Sequence, residues 1–438
     1  MGSTALAGAP AIELAALIRR RAVSAAEVVE AHARRIEEVN PAINAVVQLD
    51  AGRALARARA ADDELARGER VGPLHGVPFT VKDNFEAAGI EMAIGVPERV
   101  GVVAHQDATA VARLKAAGAI LLGKTNCPPY GGGLETDNPV YGRTNNPYDL
   151  ERTPGGSSGG EAAIVAACGS PCGLGTDSGA SVRVPAHFCG LAAIKPTAGR
   201  VPVTGVIDDL GQIGALSDPR TQVGVLARSV ADVALVLSAV AGPDGRDGGV
   251  PPLALGDPAG VALRRLRVAV QIDNGVDPPT NETAATVAAA AEALRDAGAT
   301  VREARHPGGG HELTHAVWRS YGGEMSAAGL YDLLRRWDAY RTEMLAFLEH
   351  HDLILCPVFP EPAPRHGGTP GPDGTDRTSH ANPFNLTGWP AATVRCGTSP
   401  GGLPIGVQLA AAPWREDVAL GAAAALERAL GGWRCAAL

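Results

Sequence analysis

The chain lacks most of the features that would assign it quickly. Its seven cysteines (Cys127, Cys168, Cys172, Cys189, Cys356, Cys396 and Cys435) include no C-x-x-C pair, and several sit in apolar stretches such as ILCPVF. They read as free thiols, small hydrophobes of a reducing, cytoplasmic compartment. Aromatic residues make up only 4% of the 438 residues, and no Lys/Arg stripe is interleaved with them. Nucleic acid is therefore not an expected partner. No stretch of about twenty uninterrupted apolar residues occurs, so neither a spanning helix nor a membrane partner is expected. The opening segment MGSTALAGAPAIELAALIRRR puts its positive charges after the apolar residues, the reverse order of a signal peptide. No internal repeat is visible.

What is present has an ordinary globular balance: 45% hydrophobic residues, 20% charged, and a formal net charge of −8, which serves solubility. SAAEVVEAHARRIEEVN opens with a capping box, Ser24 and Glu27, and continues with helical spacing at Val28, Val29, His32 and Ile36. Residues 51–68 predict a second helix ending at Gly68, and residues 77–82 a short strand ending at Lys82. DATAVARLKAAGAILLGKTN predicts a helix, a glycine and a strand, the unit of an α/β fold. SGGEAAIVAACG predicts a helix and CGLGTDS a strand entering a tight turn. Further along, RSVADVALVLSAVAG, NETAATVAAAAEALRDAG and WREDVALGAAAALERAL predict helices. RLRVAVQID, HHDLILCPVF and AATVRCGT predict strands, and 242–260 and 361–380 are long polar loops.

TPGGSSGGEA, residues 153–162, has the composition of a flexible linker, yet it leads into the most apolar stretch of the chain. It is no phosphate loop, because G-x-x-x-x-G-K-[ST] needs a lysine that is absent there. GGSSG formally matches the α/β-hydrolase elbow, but that fold needs an acid and then a histidine downstream, and His187 comes too soon.

Three separated segments carry unusual residues. LHGVPFTVKDN puts Lys82 at the end of an apolar strand, where a lysine is seldom found without a partner or a task. RTPGGSSGGEAA carries Ser157 and Ser158, and GTDSGASVRVP carries Ser178 and Ser181. A serine nucleophile needs a base. Burial disfavours the charged form of a lysine, so a desolvated lysine can be that base, with a second serine passing the proton.

These segments, with GKTN, ETDNPVYGRTNNPYD, GLAAIKPT and PFNLTGWPA in the same order, resemble the amidase signature family of Ser–cisSer–Lys hydrolases from about residue 10 to about 430. The resemblance implies an α/β fold with one large, mixed, mostly parallel twisted sheet covered by helices on both faces. It implies Lys82 as the catalytic lysine, Ser157 as a bridging serine after a cis peptide bond, and Ser181, 24 residues later, as the nucleophile. Backbone N–H groups at Ser178, Gly179, Ala180 and Ser181 would face the oxyanion, Gly131 would line the substrate, and Asp177 and Arg183 would pair to shape the turn. Gly155, Gly156, Gly159 and Gly160 would permit a close backbone approach. The chain departs from the family at Ala180, where glycine is common, and at Gly224-Val225, where Gly-Pro is common. If position 180 requires a positive φ, alanine is strained there.

The implied organisation is a single domain over 1–438: N-terminal helices in 1–70, the signature core in 71–200, a variable substrate wall in 201–345, and strands and a helix completing the core in 346–438. The wall candidates are 127–135, 200–220 and 306–345, and their few charges suggest a neutral, fairly apolar substrate. The expected substrate is a small amide or carbamate (aryl amides or urethanes first), without cofactor or metal, on a monomer or homodimer.

One competing motif is HELTH, residues 311–315, with the H-E-x-x-H spacing at which His311 and His315 would bind zinc and Glu312 act as base. The metzincin glycine is replaced by Trp318, and GGG precedes the motif, so an exposed helix start near the substrate mouth is the plainer reading. Two further alternatives are a non-catalytic binding homologue, against which the intact Lys82, Ser157 and Ser181 argue, and a glutamine amidotransferase A-type subunit that would supply ammonia to a partner. His75 and His187 read as structural histidines, and His350-His351 as a solvated helix end. Tyr130, Trp318 and Tyr321 are aromatics that either pack or line a pocket.

Overall fold

A computed structural model of the protein describes residues 2–207, 221–321, 324–370, 377–436 and 438. Parts of the expected wall (208–220 and 322–323), part of the loop 361–380 (371–376) and the side chain of Tyr321 lie outside the described residues.

The strands are β1 (Val46–Leu49), β2 (Pro78–Lys82), β3 (Ile120–Thr125), β4 (Cys172–Asp177), β5 (Ala192–Lys195), β6 (Gln222–Ala227), β7 (Arg267–Val270), β8 (Thr300–Glu303), β9 (Leu353–Pro357), β10 (Ala391–Thr398) and β11 (Pro404–Ala411). They form one sheet in the order β1-β3-β2-β4-β6-β5-β10-β11-β9-β7-β8. The expected large mixed sheet is therefore present. Parallel pairing occupies its flanks, β2 with β3 and β4 on one side and β7 with β8 and β9 on the other. The centre runs antiparallel through β4, β6, β5, β10, β11 and β9.

Consecutive strand residues point to opposite faces. Every residue of β2, β4, β6, β9 and β11 is buried, so helices cover both faces of the sheet there. That is why these segments read as continuous apolar runs and not as alternating ones. The helix Ala25–Ile43 has the foreseen capping box: Ser24 Oγ accepts from Glu27 N–H at 3.1 Å, and Glu27 Oε2 accepts from Ser24 N–H at 2.8 Å. The helix Gly159–Ala166 is buried all round, against β2, β4 and β6. The helix Glu416–Leu430 closes the chain over β10 and β11. β1, β5, β6, β11 and the long helix Ala327–Phe347 were not foreseen in the sequence. No disulfide joins the cysteines, all seven of which are free. Among the described residues, no helix is long and apolar enough to cross a membrane.

β3, β2 and β4 run parallel as neighbours, so Thr125, Lys82 and Asp177 gather at one edge of the sheet, outside the carboxyl ends of the strands. Ligand sites of open α/β sheets lie at such an edge.

Candidate active site

Lys82 closes β2 and is fully buried. Its Nζ donates to Ser157 Oγ at 2.6 Å and to Thr176 Oγ1 at 2.8 Å. Thr176 lies on β4, and Asn84 Nδ2 donates to the same hydroxyl at 3.2 Å. Lys82 is thus buried beside two hydroxyls. Sequence reasoning named Ser157 but missed Thr176. Its only signal was its place beside Asp177 at the end of a predicted strand. Gly131 sits directly over the pair: a Cβ there would lie 3.4 Å from Lys82 Nζ and 3.7 Å from Ser157 Oγ. With φ at +76°, this position suits glycine.

The Gly156–Ser157 peptide bond is cis, as the resemblance implied. The loop is packed tightly against the backbone of other segments, and its glycines supply the room. A Cβ at Gly156 would lie 2.7 Å from the carbonyl carbon of Leu134, and one at Gly160 would lie 2.5 Å from Asn126 N. The 153–162 stretch is therefore a fixed loop and not a linker. Ser158 N–H donates to the Ser181 carbonyl at 3.1 Å and fastens the loop to the second serine turn. The bond is between backbone groups and a hydroxyl-to-hydroxyl bond between Ser157 and Ser181 is not formed; catalytic hydrogen bonds often tighten only around a substrate.

The Ser181 turn is braced from beneath by an ion pair. Arg183 Nε and Nη2 donate to Asp177 Oδ2 and Oδ1, each at 3.0 Å, with both side chains fully buried. Arg183 also donates to Ala381 O at 2.9 Å, Gln408 Oε1 at 3.0 Å and Asn385 Oδ1 at 2.5 Å. Asn385 in turn donates to Asp177 Oδ1 at 2.9 Å. Burial alone would raise the Asp177 carboxyl, but the charge and hydrogen bonds of Arg183, with Asn385, hold it well below the usual carboxylate range. The shaping ion pair foreseen for Asp177 and Arg183 is in place.

Asp177 also corrects one assignment. Its Oδ1 accepts the Ala180 N–H at 2.9 Å, which removes that donor from the candidate oxyanion set. Among the described residues, the Gly179 and Ser181 N–H groups are not spent on such bonds. The Ser178 hydroxyl is paired with Thr221 Oγ1 at 2.6 Å. Ala180 adopts φ +126°, so the strain foreseen for a side chain at this position is real. Ser181 is half-buried while Lys82 and Ser157 are buried behind it. A reagent would meet Ser181 first.

Two further buried groups flank the site. Glu161, on the helix that follows the loop, accepts from the hydroxyls of Thr80 and of Thr125, the latter at 2.8 Å. Burial pushes its carboxyl up to about 8, against the pull of these two hydroxyls. Lys195, at the end of β5, donates to Pro196 O at 3.0 Å. Burial and then the charge of Arg183 lower it to about 7, against Asp177 and Glu416.

HELTH lies on the helix Gly310–Tyr321. His311 and His315 pack edge to face with ring centres 4.5 Å apart, and His315 packs likewise on Trp318 at 5.3 Å. Among the described residues, no third His, Cys, Asp or Glu joins them in a group that could hold a metal ion. The helix lies at the serine turn: a Cβ on Gly179 would be 2.7 Å from Trp318 Cζ2. Trp318 therefore lines the site, and Tyr130, a third exposed at 36%, stands next to Gly131. His75 and His187 are both buried. His75 Nε2 bonds Ala61 O at 2.9 Å, while His187 donates to Glu361 O at 2.9 Å and accepts from Gly406 N–H at 2.8 Å. Burial lowers His187 to about 4, which keeps it neutral and structural.

Comparison with known proteins finds relatives along nearly the whole chain. The family model described as Amidase matches residues 27–331 and 315–420. The indoleacetamide hydrolase of Bradyrhizobium diazoefficiens is 35% identical, with 96% of this chain and 86% of that protein covered. A glutamyl-tRNA(Gln) amidotransferase subunit of Anaeromyxobacter sp. (strain K) is 36% identical, with 96% of each chain covered. The crystal structure of a bacterial aryl acylamidase of the amidase signature enzymes superposes with a TM-score of 0.84 at 28% identity, covering 96% of both chains.

Proposed function

The chain belongs to the amidase family, whose members act on carbon–nitrogen bonds, and from that premise we propose that it is a free-standing hydrolase of aryl amides or aryl carbamates working through an acyl-enzyme on Ser181. The observation that carries the mechanism is the buried 2.6 Å bond between Lys82 and Ser157, on a loop fastened to Ser181 through Ser158.

Neutral Lys82 takes the proton of Ser157, which takes that of Ser181. Ser181 Oγ then bonds to the substrate carbonyl carbon. The oxyanion meets the N–H groups of Gly179 and Ser181, a contribution of a few kcal/mol where such donors are preorganised (about 3–4 kcal/mol). The proton returns from Lys82 through Ser157 to the substrate nitrogen as the C–N bond breaks. Water, deprotonated along the same path, releases the acyl group. A carbamate would release amine, alcohol and carbon dioxide. Trp318 against the turn, together with two relatives named for indoleacetamide and aryl substrates, favours an aromatic group on the substrate.

The test is hydrolysis of an anilide and of an aryl carbamate by wild type and Ser181→Ala, each with and without EDTA. Activity that survives the chelator and vanishes in the variant is expected. Activity lost with EDTA but kept in Ser181→Ala would transfer the chemistry to His311, Glu312 and His315. Glutaminase activity without either of the other two would favour the amidotransferase reading.

A further inference from the structure

We propose that Asn382 is a specificity-determining residue: its carboxamide accepts the N–H of the scissile amide or carbamate beneath the indole of Trp318, so the site selects secondary amides and N-monosubstituted carbamates that carry a flat apolar group. This deepens the hydrolase reading and rests on it.

Asn382 opens the short helix Asn382–Leu386 and is fully buried. Neither Nδ2 nor Oδ1 of its side chain has a hydrogen-bond partner among the described residues. Buried polar groups are almost always bonded, and leaving one unbonded is costly. The contrast with Asn385, one turn on, is direct. Asn385 spends both ends of its carboxamide on Arg183 and Asp177 and holds the turn. Asn382 holds nothing, and its Oδ1 would be 3.2 Å from a Cβ on Gly179, two residues before Ser181.

The residue is rigidly placed. Its N–H donates to Thr378 O at 2.9 Å, and the preceding carbonyl, Ala381 O, accepts from Arg183 at 2.9 Å. The turn already supplies donors for a substrate carbonyl, at Gly179 and Ser181. What it otherwise lacks is an acceptor for the substrate N–H, since the Ser178 hydroxyl is engaged with Thr221. A carboxamide offers that acceptor.

Trp318 reaches the same position: its Cζ2 would lie 2.7 Å from a Cβ on Gly179. Gly310, Thr314 and Trp318 follow at helical intervals of four, one stripe of the helix. The stripe rests on Pro383 at Gly310, where a Cβ would lie 3.3 Å from Pro383 Cγ, and ends on Gly179 at Trp318. The indole is half-buried. A flat ring entering the site would meet the indole at the same Gly179 position that Asn382 Oδ1 approaches.

The experiment compares an anilide with its N-methyl counterpart, which lacks the N–H, in wild type and in Asn382→Leu. Each rate is normalised to the substrate's alkaline hydrolysis. In wild type the anilide is expected to be favoured about tenfold or more in kcat/KM, and in Asn382→Leu the preference is expected to fall towards one, since a single hydrogen bond is worth about that factor. Labelling of Ser181 by phenylmethylsulfonyl fluoride, which has no N–H, is expected at an unchanged rate in the variant. The same preference in both enzymes overturns the proposal. So does an equal fall for both substrates and for labelling, which would make Asn382 a prop of the turn. If the variant does not fold, wild type alone decides: no preference for the anilide overturns it. If wild type cleaves neither substrate, the hydrolase reading falls and takes this proposal with it.

Discussion

Two lysines end neighbouring parallel strands, and both are fully buried. Lys82 closes β2, and Lys124 stands one residue before the end of β3, paired in register with Val81. Lys82 donates to two hydroxyls, those of Ser157 and Thr176. Lys124 lies 3.2 Å from the carboxylate of Asp83 and donates to Phe85 O at 2.6 Å. Burial works against the charge on Lys124 and on Asp83 alike, and each is the main relief for the other. Burial alone does not make a base. The partners differ: Lys82 meets the hydroxyls of Ser157 and Thr176, whereas Lys124 faces the carboxylate of Asp83. On the proposed mechanism the first lysine belongs to the chemistry and the second to the scaffold beneath it.

The comparison can be broken by exchanging what each lysine does. Lys82→Met is expected to lower kcat about a thousandfold or more, the usual worth of a positioned general base, with a melting temperature close to that of wild type. Lys124→Met leaves the Asp83 carboxylate buried without its counter-charge. It is expected to cost about 3–5 kcal/mol of stability in denaturant unfolding, with the kcat of the remaining folded protein reduced far less. A Lys82 variant that unfolds, or a Lys124 variant that folds well but is dead, would erase the distinction.

A smaller effect sharpens it. Glu161 ties the two lysine strands together through Thr80 on β2 and Thr125 on β3. The unfolded chain releases this proton near 4.5 and the folded chain near 8. Between those values the folded protein binds more protons, so stability falls as pH rises through the window, the reverse of an ion-paired carboxylate. Glu161→Gln is expected to flatten that slope, measured as unfolding free energy from pH 5 to pH 8. An unchanged slope would mean that the carboxyl is ionised between the strands.

The proposed catalytic groups could be picked out in the sequence: Lys82 by its odd place at the end of an apolar strand, Ser157 and Ser181 by glycine-rich backbone and by the spacing that the family resemblance implies. Helices with capping or clear periodicity, such as Ala25–Ile43, were legible too. β6 and β11 were not, since a strand buried on both faces carries no alternation to find. The support around the site was also hidden. That the Ala180 N–H goes to Asp177, that Thr176 meets Lys82, and that Trp318 and Asn382 converge on Gly179 are contacts that no local pattern announces, most of them between residues far apart in the chain. HELTH shows the converse: a regular local pattern whose histidines stack on each other while their helix brings Trp318 to the serine turn.

The most direct test of the central claim, a Ser181 nucleophile activated from Lys82 through Ser157, is covalent labelling read by peptide mass mapping. Wild type, Lys82→Met and Ser157→Ala would each be treated with an aryl carbamate or phenylmethylsulfonyl fluoride. The account predicts one adduct, on Ser181, formed rapidly in wild type and far more slowly in both variants. An adduct on another residue, or labelling of Ser181 at the same rate in all three proteins, would contradict it.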